Sequence, residues 1–168
     1  MPTDDVADRV RAALERFERA RPAVEAAAPW PLADRFDTSE EASWGPPEVL
    51  AHVSEMLGYW RTELERVAAG DGGPVPFGRI ATDTARLDTI ERDRSLSPAE
   101  LFARIVAGSE MFLGSWARWT EAERDRVGLH PRLGELTVRA SADRFVVDHL
   151  ADHAAQLETT MGTAPTSD

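Results

Sequence analysis

Two of the chain's four histidines stand four residues apart near the C-terminal end, in Phe145-Val-Val-Asp-His149-Leu-Ala-Asp-His153-Ala-Ala-Gln156-Leu157. Four residues is a little over one helical turn, so on a helix both rings share a face, about 6 Å apart along the axis. That face is otherwise apolar, because Phe145, Val146, Leu150 and Leu157 follow the i, i+3, i+4 spacing of a core stripe. An imidazole aimed inward from such a face needs a partner, and a metal ion can supply one. A third histidine, His52, lies within another apolar stripe made by Val49, Val53, Met56, Trp60, Leu64 and Val67. Where two such helices face each other, three neutral imidazoles can hold one divalent ion and leave a coordination position open. That is the arrangement of a catalytic rather than a structural site. Any one of these histidines alone reads as a core or boundary residue with an ordinary hydrogen bond. Three at this spacing bring the metal reading level with that one.

The His149-x-x-x-His153 spacing is not a zinc-protease motif. Those enzymes place a general-base glutamate directly after the first histidine, and here Leu150 stands there. Several neighbours could take part. Glu55, three residues after His52, is within reach of a metal or its bound water, or is a solvated carboxylate. Tyr59, the only tyrosine, is a pocket acid or a core residue. Asp148 and Asp152 could hold the outer nitrogen of a ligand ring, as metal-bound imidazoles require, or form the polar face of their helix. Gln156, one turn past His153 on the same side, suits that supporting role better. His130, in a glycine-bearing connector, is a surface loop histidine or a substrate contact overhanging the open position. Arg86, Arg92 and Arg94 could bind an anionic substrate, though pairing with neighbouring acids is the simpler account.

The elements that must position these residues are helical. Residues about 4–20 carry Val6, Val10, Leu14 and Phe17 on one face, and Pro22 is expected to end or kink that helix. An aperiodic connector follows to Trp44 and holds the charges of Asp34 to Glu41. Gly45-Pro-Pro opens the second helix, which stops at Gly70-Asp-Gly-Gly-Pro74. A short helical piece is expected over 83–92. Ser97-Pro98-Ala-Glu100 combines a cap, a first-turn proline and a capping-box glutamate, and starts a third long helix with Leu101, Ile105, Phe112 and Trp116 inward. Trp60, Trp116 and Trp119 fall at core spacings. Thr137 is a plausible cap for a last helix running to about Met161. No stretch alternates long enough to predict a strand. Four long amphipathic segments make an all-α four-helix bundle, a single domain over 1–161 with a disordered tail over 162–168.

At 168 residues the chain can bury one sizeable core, and its net charge of -11 (19 Lys+Arg against 30 Asp+Glu) repels phosphate backbones and anionic lipid. Nucleic acid and membrane are therefore not expected partners. The acidic start and the lack of a long apolar run point to a cytoplasmic protein. With no cysteine, any metal is held by histidine, carboxylate and water, and any thiol chemistry uses an external thiol.

Three motifs together resemble the DinB-like (damage-inducible, YfiT-type) metalloenzyme superfamily. They are Trp44-Gly-Pro-Pro-Glu-Val-Leu-Ala-His52-Val, Gly128-Leu-His-Pro-Arg-Leu-Gly134-Glu-Leu-Thr137, and His149-x-x-x-His153-x-x-Gln156-Leu157. Their order and spacing match from about Trp44 to Glu158. The resemblance implies an up-down-down-up bundle, often a homodimer, whose divalent metal (zinc, nickel, iron or manganese) is held by His52, His149 and His153. It further implies a small-molecule substrate and activities that include S-transferases and isomerases dependent on mycothiol, bacillithiol or glutathione. A metal-dependent hydrolase and a non-catalytic metal- or small-molecule-binding bundle are the alternatives. Many relatives carry aspartate directly after the first histidine of the last helix; here Leu150 follows and Asp148 precedes, so the surroundings of the ligands are expected to differ.

Overall fold

A computed structural model describes residues 5–71 and 73–162. The long helices are α1 (Asp5–Ala26), α2 (Pro46–Ala68) and α4 (Pro98–Arg118), with a final rod over 138–161. That rod is α6 (Val138–Ala142), a π-helical segment Asp143–Asp148, and α7 (His149–Met161) in continuous succession. Around the ring, α1 packs on α4 and α7, and α2 packs on α4 and on the final rod.

Side-chain registers give the directions. Arg9 bonds Asp143 and Asp148 while Arg16 bonds Glu158, so numbers rise together and α1 runs parallel to α7. Leu57 faces Gly108 and Glu65 accepts from Ser115, so α2 and α4 are also parallel. His52 meets His149 while Trp60 stacks on Phe145, which makes α2 and α7 antiparallel. This is the up-down-down-up bundle. Parallel neighbours cannot be joined by a tight turn, so the chain between α2 and α4 is long and carries its own structure: β1 (Val75–Pro76) and α3 (Thr84–Asp93).

The predicted stripes are the core. Val49, His52, Val53, Met56, Trp60, Leu64 and Val67 are all buried on α2, as are Leu101, Ile105, Phe112 and Trp116 on α4. The Ser97 capping box forms in full and fixes the start of α4. α1 does not end at Pro22: it runs past the expected bound near residue 20 to Ala26. Val24, fully buried, anchors the extra turn, and its carbonyl accepts the Trp30 indole N–H at 2.9 Å. Tertiary packing outweighs the backbone bond the proline removes.

The absence of strands is also corrected. β2 (Val127–His130) and β3 (Gly134–Thr137) form an antiparallel hairpin, and β1 pairs parallel to β2. Apolar alternation misleads here because the buried positions of β2 are Gly128 and His130, while Leu129 faces outward. Gly128 lies against Phe77 so closely that a Cβ would stand 2.5 Å from the ring. Between β3 and the rod, Thr137 caps α6 by accepting from Ala140 N. The tail expected over 162–168 lies outside the described residues except for Gly162, which ends α7 with φ +66°. No helix among the described residues is long and apolar enough to cross a membrane.

Candidate metal centre

His52 on α2 and His149 and His153 on α7 converge in the bundle, because two inner stripes that each carry histidine face one another. The Nε2 atoms of His52 and His149 are 2.8 Å apart. A fourth group joins them from a 3₁₀ turn, Glu41–Ser43, in the connector before α2. Glu41 Oε2 stands 3.7 Å from His52 Nε2, 3.6 Å from His149 Nε2 and 3.6 Å from His153 Nε2. One ligand atom from each of the four residues lies within 4.8 Å of every other. Ligand bonds of about 2.0–2.2 Å in a tetrahedron separate neighbouring ligand atoms by about 3.3–3.6 Å. The carboxylate oxygen therefore stands almost where a fourth tetrahedral ligand belongs. The His52–His149 separation is shorter than that edge.

The outer edges of the rings are supported unequally. His153 Nδ1 meets Gln156 Oε1 at 2.9 Å, and the Gln156 amide donates to the carbonyls of Glu41 (2.8 Å) and Trp44 (3.2 Å). One side chain thus places the proton on His153 Nδ1, leaves Nε2 as a lone pair toward the centre, and ties the Glu41 turn to α7. On the other side, His52 Nδ1 and Glu55 Oε2 face each other at 3.8 Å, both buried and both without a hydrogen-bond partner. Glu55 therefore lies behind the His52 ring, on the side away from the converging Nε2 atoms. Its other oxygen pairs with Arg79 at 2.5 Å, and that guanidinium lies 3.7 Å over the Tyr59 ring.

Burial, then the charges of His149 and Arg86, push His52 well below the ordinary imidazole range, leaving it the neutral form that ligates metals. Burial raises the Glu41 carboxyl, but the three histidines around it and the Arg86 guanidinium outweigh it and hold the group ionised. Burial also raises Glu55, against the pull of Arg79. The Tyr59 phenol is pushed up to about 12 by burial and the Glu63 charge, so it stays protonated at neutral pH.

Two clefts open on the centre. One, about 410 Å³, is bordered by His52, His149 and Glu41, floored by Trp60 and Phe145, and flanked by Arg79, Arg86 and Arg144. The other, about 490 Å³, is bordered by His149, His153 and Glu41 with Ala42, Thr159 and Thr160. Trp60 and Phe145 stack with centroids 4.1 Å apart. His130 packs beside that pair, 5.1 Å from Phe145 and 6.3 Å from Trp60, and does not line either cleft. It is buried, and its Nδ1 accepts from the Arg132 and Leu133 amides. Neither Asp148 nor Asp152 holds a ligand ring: Asp148 pairs with Arg9 at 2.6 Å, and Asp152 lines both clefts. Arg86 pairs with Glu41, Arg92 with Asp93, and Arg94 with Glu48, as charge balance anticipates.

Sequence reasoning missed Glu41, Arg79 and Arg144. Glu41 sits in an aperiodic acidic run where no spacing sets it apart from its neighbours, and the two arginines reach the cleft from different segments.

The described residues thus form a helical bundle with three histidines and a glutamate converging at its centre. The DinB superfamily matches residues 16–157, so the chain belongs to the DinB superfamily. Among solved structures, the mycothiol-dependent maleylpyruvate isomerase is similar with a TM-score of 0.61 and 13% identity, over 97% of this chain and 60% of that one. The chain thus spans less than two thirds of that protein's length. YfiT from Bacillus subtilis, described as a probable metal-dependent hydrolase with an unusual four-helix bundle topology, is similar with a TM-score of 0.59 and 13% identity, over 91% of this chain and 87% of that one. A search of curated proteins gives no match.

Proposed function

We propose that this protein is a metal-dependent enzyme whose divalent ion is held by His52, His149 and His153, and which joins a low-molecular-weight thiol to, or isomerises with its help, a small anionic substrate. The convergence of three imidazole nitrogens and one carboxylate oxygen carries the metal reading. The ion, when bound, would lower the pKa of a thiol or water at its open position and make a nucleophile at neutral pH. The residues of the chain do the rest. Gln156 orients His153, Glu55 backs His52, and Trp60 and Phe145 form an apolar floor beside three arginines. The absence of cysteine means the thiol must be a cosubstrate, and one structural relative is named as mycothiol-dependent. The substrate is read as anionic because Arg79, Arg86 and Arg144 flank the cleft of a chain whose net charge is -11.

The test is metal analysis of untagged protein, followed by a thiol screen. Near-stoichiometric zinc, nickel, iron or manganese is expected in the wild type and its loss in His149→Ala. The loaded protein should consume an electrophile only with mycothiol, bacillithiol or glutathione present. Substoichiometric metal unchanged by His149→Ala refutes the metal centre. Turnover of an ester panel without thiol replaces the transferase reading with hydrolysis by metal-bound water.

A further inference from the structure

We propose that Glu41 is a fourth and exchangeable ligand, which closes the open position of the three-histidine centre at rest and yields it to an incoming carboxylate that takes over its contact with Arg86. The inference rests on the metal reading above. Its first support is position: one oxygen of Glu41 is equidistant, at 3.6–3.7 Å, from three histidine nitrogens on two helices. A carboxylate that served only as the partner of Arg86 has no reason to stand there.

The second support is that Glu41 is held differently from the histidines. The His52 and His153 side chains are 3% and 6% exposed, and His149, at 29%, is about as open as Glu41 at 32%, but all three histidines stand on bundle helices whereas Glu41 stands on a short turn outside them. The Glu41 side chain moves without moving a bundle helix, and it borders both clefts, as do His149 and Asp152.

The third support is charge. Arg86 is buried, with a side chain 6% exposed, and bonds the other oxygen of Glu41. A neutral molecule displacing Glu41 leaves that guanidinium and the ion without an anion in a poorly hydrated site, which is costly. An incoming carboxylate keeps the balance, since one oxygen can face the ion and the other Arg86 as Glu41 does now. Arg79 and Arg144 flank the same cleft. The exchange therefore selects carboxylates over neutral molecules of the same shape.

Cobalt(II) reports the coordination directly. The protein is loaded with cobalt, folding is checked by thermal melting, and the visible spectrum is followed while acetate or its neutral analogue acetamide is added. The wild type is expected to show the intense bands of a four-coordinate ion, shifted by acetate only at high concentration and by acetamide not at all. Glu41→Gln and Glu41→Ala should give a changed starting spectrum, weaker cobalt binding by about tenfold or more, and acetate binding at least about tenfold tighter than in the wild type. Adding Arg86→Gln to either variant should remove the preference for acetate over acetamide. Spectra, cobalt affinity and acetate response that match the wild type in both Glu41 variants overturn the proposal while leaving the three-histidine centre intact. Failure of the wild type to bind cobalt in a His149-dependent way overturns both.

Discussion

Gln156 is the residue whose loss most directly tests how the centre is held. It makes three hydrogen bonds, one with His153 Nδ1 and two to the carbonyls of Glu41 and Trp44. In Gln156→Leu, which preserves shape, the ring loses the group that fixes its tautomer and the two carbonyls lose their donor. Supporting residues of this kind carry about 10–100-fold in metal affinity, or about 1.4–2.7 kcal/mol. Three hydrogen bonds at about 0.5–1.5 kcal/mol each bound the loss of metal-free stability near 4.5 kcal/mol. Gln156 is half-buried, so water replaces part of that, and about 1–3 kcal/mol is expected. For a domain of this size that is a fall in Tm of roughly 2–10 °C. Competition against a chromophoric zinc chelator reads the first effect, and thermal unfolding of the metal-free protein reads the second. Gln156→Glu separates the two roles. It keeps an acceptor for His153 Nδ1–H but opposes the two carbonyls, so zinc affinity should stay within about tenfold of wild type while Tm falls. Zinc affinity within twofold of wild type in Gln156→Leu refutes the tautomer argument. Equal loss in both variants assigns the whole effect to the connector instead.

Two further outcomes follow from the packing. Gly78→Ala places a methyl 2.5 Å from His130 Cδ2 at a backbone φ of +85°, so steric and backbone strain add. A loss of about 2–4 kcal/mol is expected in denaturant unfolding, and a change under about 0.5 kcal/mol would show that the β1–α3 segment yields freely. The Arg16 hydrogen bond holds the Glu158 carboxyl below the ordinary glutamate value of about 4.5, against the upward pull of burial. A carboxyl lowered on folding adds stability above its unfolded pKa and loses it as pH falls through the folded value. Glu158→Gln should therefore cost stability at pH 7, by about 1–3 kcal/mol, and progressively less as pH falls below the ordinary glutamate range. A gap between the two proteins that does not narrow on acidification rules out the ionised pair as its source.

The sequence by itself determined the helices, their inward faces and the three histidines. Apolar residues at helical spacing have one way to be buried, and a histidine inside such a stripe is carried inward with it. His52 among Val49, Val53 and Met56 needed no tertiary knowledge to be placed. The capping box at Ser97 was legible for the same reason, since its bonds are local. Where local preference conflicts with packing, the sequence misled. Pro22 argued for an end or a kink, and the burial of Val24 overrides the end, while β2 hid its inner face because glycine and histidine occupy it. Only the tertiary structure decided which other groups meet the histidines. Glu41 comes from a turn with no period, Arg79 and Arg86 from the long connection between the parallel helices α2 and α4, and Arg144 from the π-helical segment of the final rod. Spacing along the chain records which residues share an element's face. It carries no information about a carboxylate that reaches the centre from a short turn outside the bundle helices.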